Sequence, residues 1–270
     1  YNSYKNRYYI SLNSCINSEQ NNSILYNKIP KNIIPKISYN YDIFPSNTYD
    51  LFKINHQPII VRNGIKSYFP KLNIWTTDYL YKKIRNETMT TRHSKSEIFH
   101  FIPGYTEYKK EKYGDIINKK NIYAAENDIP DNIMHELNYN NDMKNMLNKL
   151  ELVNLNTISL WKNFKSKTIN PLHYDSYNNL FLMIDGSKKF ILYEPRDRAF
   201  LYPKKEEGWA EYSNVNINDI NDINNKPCFK YATRIDIELF QGDILLLPIG
   251  WWHQVETKPE SCGVSFWYNI

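Results

Sequence analysis

Residues 170–195 read NPLHYDSYNNLFLMIDGSKKFILYEP. Within this stretch, two apolar segments at 180–184 and 190–193 flank the dipeptide Asp185-Gly186. Asp-Gly between two apolar runs is a strong signal for a tight turn, so the stretch predicts two strands joined as a β-hairpin. The side chains that could bind a metal or a charged ligand lie before the first strand and at the start of the second.

Two side chains of metal-ligand type open the stretch, since His173 and Asp175 are two positions apart. Alternate residues of a strand face the same side, so both side chains would point in one direction. Together with the distant His253 they would form the two-histidine, one-carboxylate set of non-haem Fe(II) oxygenases, which leaves metal positions open. The motif alone also allows a structural role, with His173 hydrogen-bonded in its strand and His253 packed beside Trp251 and Trp252.

A lysine follows the predicted turn. Strand alternation would place Lys188 on the same face as Phe190 and Leu192, among apolar neighbours. A buried ammonium group needs an anionic partner or loses its proton. A dicarboxylate that binds the metal at one end and Lys188 at the other would satisfy both sites. The alternative is a solvated lysine at the mouth of the hairpin.

Short apolar segments separated by turns continue through residues 157–270. Residues 235–239 alternate strictly between apolar and polar, while 244–247 and 264–268 are further strand candidates. This pattern predicts a mainly β fold, a double-stranded β-helix of the jelly-roll type, over 157–270. Residues 203–228, rich in Asn and Asp, are expected to form a long loop.

The sequence before the barrel divides into two parts. Residues 1–46 are polar and are expected to form a loosely packed arm, whereas residues 47–156 are expected to form an α-rich annex that packs on the barrel. Within the annex, residues 59–61 predict a short buried strand, Thr76 predicts the N-cap of an amphipathic helix, and residues 128–150 carry a helical pattern.

The composition narrows the function only slightly. The net charge is +5, which is compatible with a nucleic-acid partner but does not by itself indicate one. Cys15, Cys228 and Cys262 are few, odd in number and far apart. They predict a reducing intracellular setting, cytoplasmic or nuclear, without a disulfide framework or zinc finger. No apolar run is long enough to span a bilayer, so no membrane partner is expected.

The motifs combine into one pattern: H-x-D, then an asparagine, a glycine before a lysine, and a distal W-W-H. The residues that match it are His173, Asp175, Asn179, Gly186, Lys188 and Trp251-Trp252-His253. This pattern resembles the JmjC family of Fe(II)- and 2-oxoglutarate-dependent oxygenases, in particular its compact, cupin-like and factor-inhibiting-HIF-like hydroxylase branch. The strand Gly242-Asp243 to Pro248 and the ending Phe266-Trp267-Tyr268 are similar to that family as well.

The resemblance implies a role for each matching residue. It assigns Fe(II) binding and catalysis to His173, Asp175 and His253. The co-substrate 2-oxoglutarate, used together with O2, would be held through its distal carboxylate by Lys188 and by Tyr123, whose segment 122–125 is similar to a family stretch. The other residues expected around the co-substrate or the iron are Asn170, Asn179, Ser265 and Trp267. Asn170 stands where the family usually has Ser or Thr, and Ser265 stands where several relatives have Asn.

The substrate stays open at this point. Hydroxylation of a protein side chain is the leading hypothesis. The alternatives are hydroxylation of a modified tRNA base, as by a wybutosine hydroxylase, histone lysine demethylation, and an inactive JmjC binding module. Demethylation is disfavoured because no zinc-binding cysteine cluster accompanies the barrel. Relatives often carry dimerising helices after the barrel, so the oligomeric state is open and a homodimer is one alternative.

Overall fold

The structure of the protein is a computed structural model that describes residues 37–100, 106–204 and 210–269. Most of the predicted polar arm, residues 1–36, lies outside the described residues. The strands are β1 (Ser38–Tyr41), β2 (Ile59–Arg62), β3 (Thr88–His93), β4 (Glu107–Lys112), β5 (Ile122–Asp128), β6 (Leu155–Asn163), β7 (Thr168–Asp175), β8 (Asn178–Asp185), β9 (Ser187–Tyr193), β10 (Ala210–Tyr212), β11 (Ile235–Phe240), β12 (Ile244–Leu247), β13 (Trp252–Thr257) and β14 (Cys262–Tyr268). The α-helices are Gly64–Tyr68, Thr77–Ile84, Tyr113–Ile116, Asp131–Met134, Asn141–Lys149 and Ile220–Asn224; Asp50–Ile54 is a π-helix, and Pro70–Ile74, His135–Leu137, Pro195–Leu201 and Pro227–Tyr231 are 3-10 helices.

The described strands form two sheets. One has nine strands in the order β1-β2-β12-β8-β14-β6-β5-β3-β4, and the other has five in the order β10-β7-β13-β9-β11. Apolar side chains of both sheets share one core; for example, the rings of Phe181 in β8 and Phe190 in β9 lie with centroids 5.7 Å apart. Two sheets, antiparallel except for the parallel pair β1–β2, pack over one core as in a jelly roll, so the predicted mainly β, cupin-like fold is confirmed.

The turn at Asp185-Gly186 does not close a hairpin. β8 pairs with β12 and β14 in the larger sheet, whereas β9 pairs with β11 and β13 in the smaller one. The hairpin prediction is therefore wrong, because this turn carries the chain from one layer to the other. Gly186 has a φ of +74°, and a Cβ there would lie 2.4 Å from Ser261 Oγ. Both features require glycine at this crossing.

The predicted alternation in β9 is observed. Phe190 and Leu192 join the core between the sheets, whereas Ile191 and Tyr193 pack in a separate apolar cluster. Lys188 shares the face of Phe190 and Leu192 and is only 2% exposed. The lysine therefore points into the barrel rather than into solvent.

The segment before the barrel combines helices with strands. The predicted strand at 59–61 is present as β2, and Thr76 caps its helix by accepting a hydrogen bond from Tyr79 N at 3.2 Å. The helical pattern expected over 128–150 is present as three short helices, the last of them capped by Asn140. Strands β3, β4 and β5 extend the nine-stranded sheet beyond β6. The division into arm, annex and barrel stays a prediction.

The expectation of a long loop at 203–228 is wrong in its central part. Strand β10 lies within it and pairs antiparallel with β7, so that Tyr212 stands opposite His173. A short helix, Ile220–Asn224, follows. A three-residue strand in a polar surrounding gives no periodic signal, which is why the sequence pattern missed it.

The described cysteines differ from the expectation. Cys262 is a buried free thiol, whereas Cys228 is disulfide-bonded, so the expectation that the cysteines are all reduced is wrong for Cys228. The intracellular location stays a prediction, without the support that fully reduced cysteines would give it. Within the described ranges, no helix combines the length and the apolar character needed to cross a membrane.

Candidate active site

The three predicted metal ligands come from neighbouring strands of the smaller sheet. His173 and Asp175 lie on β7, and the pairing of β13 with β7 sets His253 directly opposite His173. All three side chains are buried, and their ligand atoms lie within 4.8 Å of one another. The carboxylate of Asp175 is 3.3 Å from His253 Nε2 and 3.6 Å from His173 Nε2. The structure thus brings together the set that the spacing predicted.

Backbone carbonyls orient both imidazoles. His173 Nδ1 lies 2.7 Å from the carbonyl oxygen of Pro171, and His253 Nδ1 lies 2.9 Å from that of Trp251. A carbonyl can only accept, so each Nδ1 carries the proton and each Nε2 keeps its lone pair toward Asp175. Burial lowers the pKa of His173 to about 4. A neutral imidazole with a free Nε2 is the form that binds a metal.

The donor set fits a divalent transition metal. Two neutral imidazoles and one carboxylate carry a single negative charge in a buried site. Burial alone would raise the pKa of Asp175, but its contacts with His253 and His173 hold that pKa below its usual value. An ionised carboxylate surrounded by lone pairs is costly to bury without a cation, and this set of ligands suits Fe(II).

Lys188 occupies the deeper end of the barrel. Its Nζ donates to the Tyr123 hydroxyl at 3.2 Å and lies over the rings of Phe181, Trp161 and Tyr123 at 4.9, 5.2 and 5.8 Å from their centroids. Among the described residues, no carboxylate forms a salt bridge with it. Burial lowers the pKa of Lys188 to about 7. The ammonium is stabilised by aromatic faces and one phenol, so it offers a charge to an incoming anion.

One cavity joins the metal ligands to this lysine. Its lining includes His173, Asp175, His253, Lys188, Asn170, Asn179, Ser265 and Trp267. The side-chain oxygens of Asn170 and Asn179 are buried there without a hydrogen-bond partner among the described residues. The ammonium without a carboxylate partner fits a small anionic ligand, whereas the two amide oxygens still need hydrogen-bond donors.

The remaining predicted residues take up supporting positions. Ser265 Oγ accepts a hydrogen bond from Trp161 Nε1 at 3.0 Å, and Trp267 Nε1 donates to Ser159 Oγ at 3.2 Å. These bonds fix two indole rings that wall the cavity, because buried Trp N–H groups need an acceptor. The hydroxyl of Ser265 therefore orients Trp161 as well as lining the cavity. The roles assigned to these residues stay predictions.

Sequence reasoning missed three side chains close to the site. Tyr212 stacks on His173, with ring centroids 5.3 Å apart and an interplanar angle of 20°. Arg92 of β3 stands opposite Tyr123 of β5 and forms an ion pair with Glu126. A β-bulge and a φ of +54° at Glu126 set this side chain off the regular pattern of β5. All of these contacts depend on the pairing of distant strands, for which the sequence holds no local signal.

A second, acidic cleft is lined by residues in and around β3, β4 and β5. Its charged lining is Glu87, Glu126, Asp128, Asp131 and Lys110. Burial, and to a smaller extent the charge of Asp175, raise the pKa of Glu126 to about 7 against the opposing effect of Arg92. Four of the five charged residues are acidic, so the charge of the cleft is opposite in sign to the net charge of the chain.

Comparisons with known proteins agree with this site. The sequence matches the Cupin-like domain family over residues 45–270. It is 35% identical to Jumonji C domain-containing protein 5 of Drosophila melanogaster over 102 residues, which are 38% of this chain and 25% of that protein. It is 34% identical to human tRNA wybutosine-synthesizing protein 5 over 99 residues, 36% of this chain and 30% of that protein.

A third similar protein bears the name of a demethylase. Lysine-specific demethylase JMJ31 of Arabidopsis thaliana is 30% identical over 123 residues, which are 44% of this chain and 22% of that protein. The matched region thus spans less than a third of the length of each of these relatives. The names of the wybutosine protein and the demethylase indicate different substrates, so similarity alone does not select one.

Proposed function

Because the chain belongs to the Cupin-like domain family, we propose that it is an Fe(II)- and 2-oxoglutarate-dependent oxygenase that hydroxylates a protein side chain. The similar proteins include a Jumonji C domain protein, which confirms the resemblance to the JmjC family drawn from the motif. The specific activity and the substrate are our proposal.

One observation supports the oxygenase activity above all. Two Nε2 lone pairs and an ionised carboxylate converge at one part of a cavity whose lining also includes an ammonium without a carboxylate partner among the described residues. A dicarboxylate with a keto acid at one end matches both parts, because the keto acid can chelate a metal and the other carboxylate can bind Lys188. Tyr123 would donate its hydroxyl proton to the same carboxylate.

When bound, Fe(II) and 2-oxoglutarate supply the oxidising chemistry that places one oxygen atom of O2 into a C–H bond. The protein contributes orientation and a dry cavity. The carbonyls of Pro171 and Trp251 hold both imidazoles with Nε2 toward the metal position. Phe181, Trp161 and Trp267 wall the cavity and exclude water from it.

The acidic cleft supports a protein substrate with basic residues over tRNA. Four carboxylates and one lysine line the cleft. Phosphate groups would be repelled there, whereas Lys or Arg side chains flanking a target residue would be attracted. The similarity to the wybutosine protein keeps tRNA as the second candidate, with its phosphates bound elsewhere on the positively charged chain.

The first experiment tests the metal centre and the co-substrate together. Anaerobic titration with Fe(II) and then 2-oxoglutarate should give a metal-to-ligand charge-transfer band in the visible spectrum. Asp175→Ala should abolish that band, and Asp197→Ala, which removes a buried aspartate outside the cavity, should retain it. A folded wild-type protein without the band would contradict the oxygenase proposal and favour an inactive binding module.

The second experiment addresses the substrate. Libraries of basic and acidic peptides, and total tRNA, would be incubated with the enzyme, Fe(II), 2-oxoglutarate and O2, and analysed by mass spectrometry. We expect one added oxygen atom on basic peptides. Loss of methyl groups from methylated lysines would favour demethylation, and a modified tRNA base with unmodified peptides would overturn the protein proposal.

A further inference from the structure

Strand β10 places an aromatic side chain against a metal ligand. β7 lies between β10 and β13, and both pairings align at one row: Tyr212 opposite His173 on one side and His253 opposite His173 on the other. Residues directly opposite each other on paired strands have side chains on the same face. Tyr212 therefore completes a row of three rings with His173 in the middle.

The two contacts of His173 in this row differ in geometry. Its ring lies nearly parallel to that of Tyr212, at 20° and 5.3 Å between centroids, and tilted to that of His253, at 52° and 4.4 Å. Tyr212 is 5% exposed, so its ring covers the imidazole with little access for water. Stacked aromatic pairs of this kind prefer one relative orientation.

The strand that bears Tyr212 is firmly attached. The neighbouring Glu211 forms a two-bond ion pair with Arg198, at 2.9 and 2.5 Å. Ser213 donates its backbone N–H to the carbonyl of Leu172 in β7, and Ser213 Oγ donates to the carbonyl of Leu201. With both of its neighbours fixed, Tyr212 is held in place and can restrict the motion of a ring stacked on it.

We propose that Tyr212 is a positioning residue that holds the His173 imidazole in its metal-binding orientation; the part of this that concerns iron rests on the proposed function. The torsion about the Cβ–Cγ bond of histidine is broad and roughly two-fold, so the ring can flip, which exchanges the positions of Nδ1 and Cδ2 and turns Nε2 away from the other ligands. The carbonyl of Pro171 favours one orientation through a single hydrogen bond. Stacking on Tyr212 adds resistance to rotation over the whole ring face.

The test compares Tyr212→Phe, which keeps the ring, with Tyr212→Ala, which removes it. Outer partners of metal ligands change metal affinity by about 10- to 100-fold when they are lost, so Tyr212→Ala should raise the Kd for Fe(II) about 10-fold. Tyr212→Phe should stay within about two-fold of the wild type. Phe229→Ala is the matched control, since it removes an aromatic contact with Tyr193 on β9 and touches no ligand.

A second readout needs no metal. In the apo protein, ¹⁵N NMR of the His173 ring should show one Nδ1–H form in the wild type and in Tyr212→Phe, and exchange-averaged signals in Tyr212→Ala. If Tyr212→Ala does not fold, Tyr212→Leu, which keeps more of the volume, takes its place. Wild-type protein that fails to bind Fe(II) would contradict the proposed function alone, because the apo spectra still measure ring orientation.

Two results would overturn the positioning role. One is a Tyr212→Ala protein with wild-type Fe(II) affinity and an unchanged His173 spectrum. The other is a Tyr212→Phe protein that loses affinity as strongly as Tyr212→Ala, because the effect would then belong to the hydroxyl group and not to the stacked ring.

Discussion

Replacement of Lys188 by methionine should stabilise the apo protein at neutral pH. The lysine is 2% exposed, and its described partners are one phenol at 3.2 Å and three aromatic faces. Burial lowers its pKa from 10.5 to about 7, and only Cys262 acts in the opposite direction. A shift of this size corresponds to roughly 5 kcal/mol of lost stability as an upper bound. Methionine has a similar length and removes the buried charge.

The sign of the pH dependence follows from the two pKa values. The pKa of Lys188 is lower in the folded than in the unfolded protein, so the unfolded chain binds more protons between pH 7 and pH 10.5. Stability must rise with pH across this window. From pH 7 to pH 9 the rise attributable to Lys188 is about 2 kcal/mol. The Lys188→Met protein should lack this component, so its advantage over the wild type should shrink toward pH 9.

Urea unfolding at pH 7 and pH 9, with and without 2-oxoglutarate, measures both effects. The co-substrate should stabilise the wild type by supplying the missing anion, and its effect should be much weaker in Lys188→Met, which loses a charge-assisted contact of about 1.5–3 kcal/mol. Lys162→Met is the matched control: Lys162 is equally buried but donates to Thr77 Oγ1 and to the carbonyl of Glu260. Its loss leaves acceptors unpaired and should lower stability. Identical pH dependence in the wild type and Lys188→Met would refute the reasoning.

Two further predictions concern the structure around the site. Gly263→Ala should destabilise the protein by about 1–3 kcal/mol, because a Cβ at this position would lie 2.3 Å from Phe181 Cζ in the barrel core; an unchanged urea midpoint would contradict this. Glu136→Ala should cost about 1–3 kcal/mol, since it leaves the buried Trp75 N–H without its acceptor and removes the partner of the Tyr79 hydroxyl. Glu136→Gln keeps a carbonyl oxygen for Trp75 and should recover most of the loss in the same unfolding assay.

The local period of the strands made the ligands and the lysine predictable. A repeat of two residues is a property of the strand itself, so His173 with Asp175, and Lys188 with Phe190, could be assigned to common faces before any pairing was known. The turn at Gly186 shows the limit of such signals. Its Asp-Gly sequence correctly predicted a tight turn, yet this turn links two layers and does not close a hairpin. Which strands pair with each other therefore could not be predicted from the local sequence.

The side-chain contacts that could not be predicted from the sequence are those between distant strands. Tyr212 reaches His173 only because β10, with three residues, aligns beside β7 in one register. Arg92 approaches the site because β3 pairs with β5 opposite Tyr123. A shift of either register by one residue would turn these side chains to the other face. Register is fixed by the whole sheet, so neither contact has a signature in its own segment.

The site keeps two opposite charges apart in one cavity instead of letting them neutralise each other. Asp175 and Lys188 lie on different strands. The carboxylate lies 3.3 Å from His253 Nε2, and the ammonium contacts Tyr123 and the aromatic faces. A fold selected only for stability would pair or remove these groups, because a buried charge without a partner is costly. The separation is useful if a ligand with a metal-binding end and a carboxylate end spans the cavity. The buried ammonium of Lys188, which is expected to destabilise the apo protein, is therefore the same group that would bind the co-substrate. In Lys188→Met, the destabilisation and the stabilising effect of the co-substrate should disappear together.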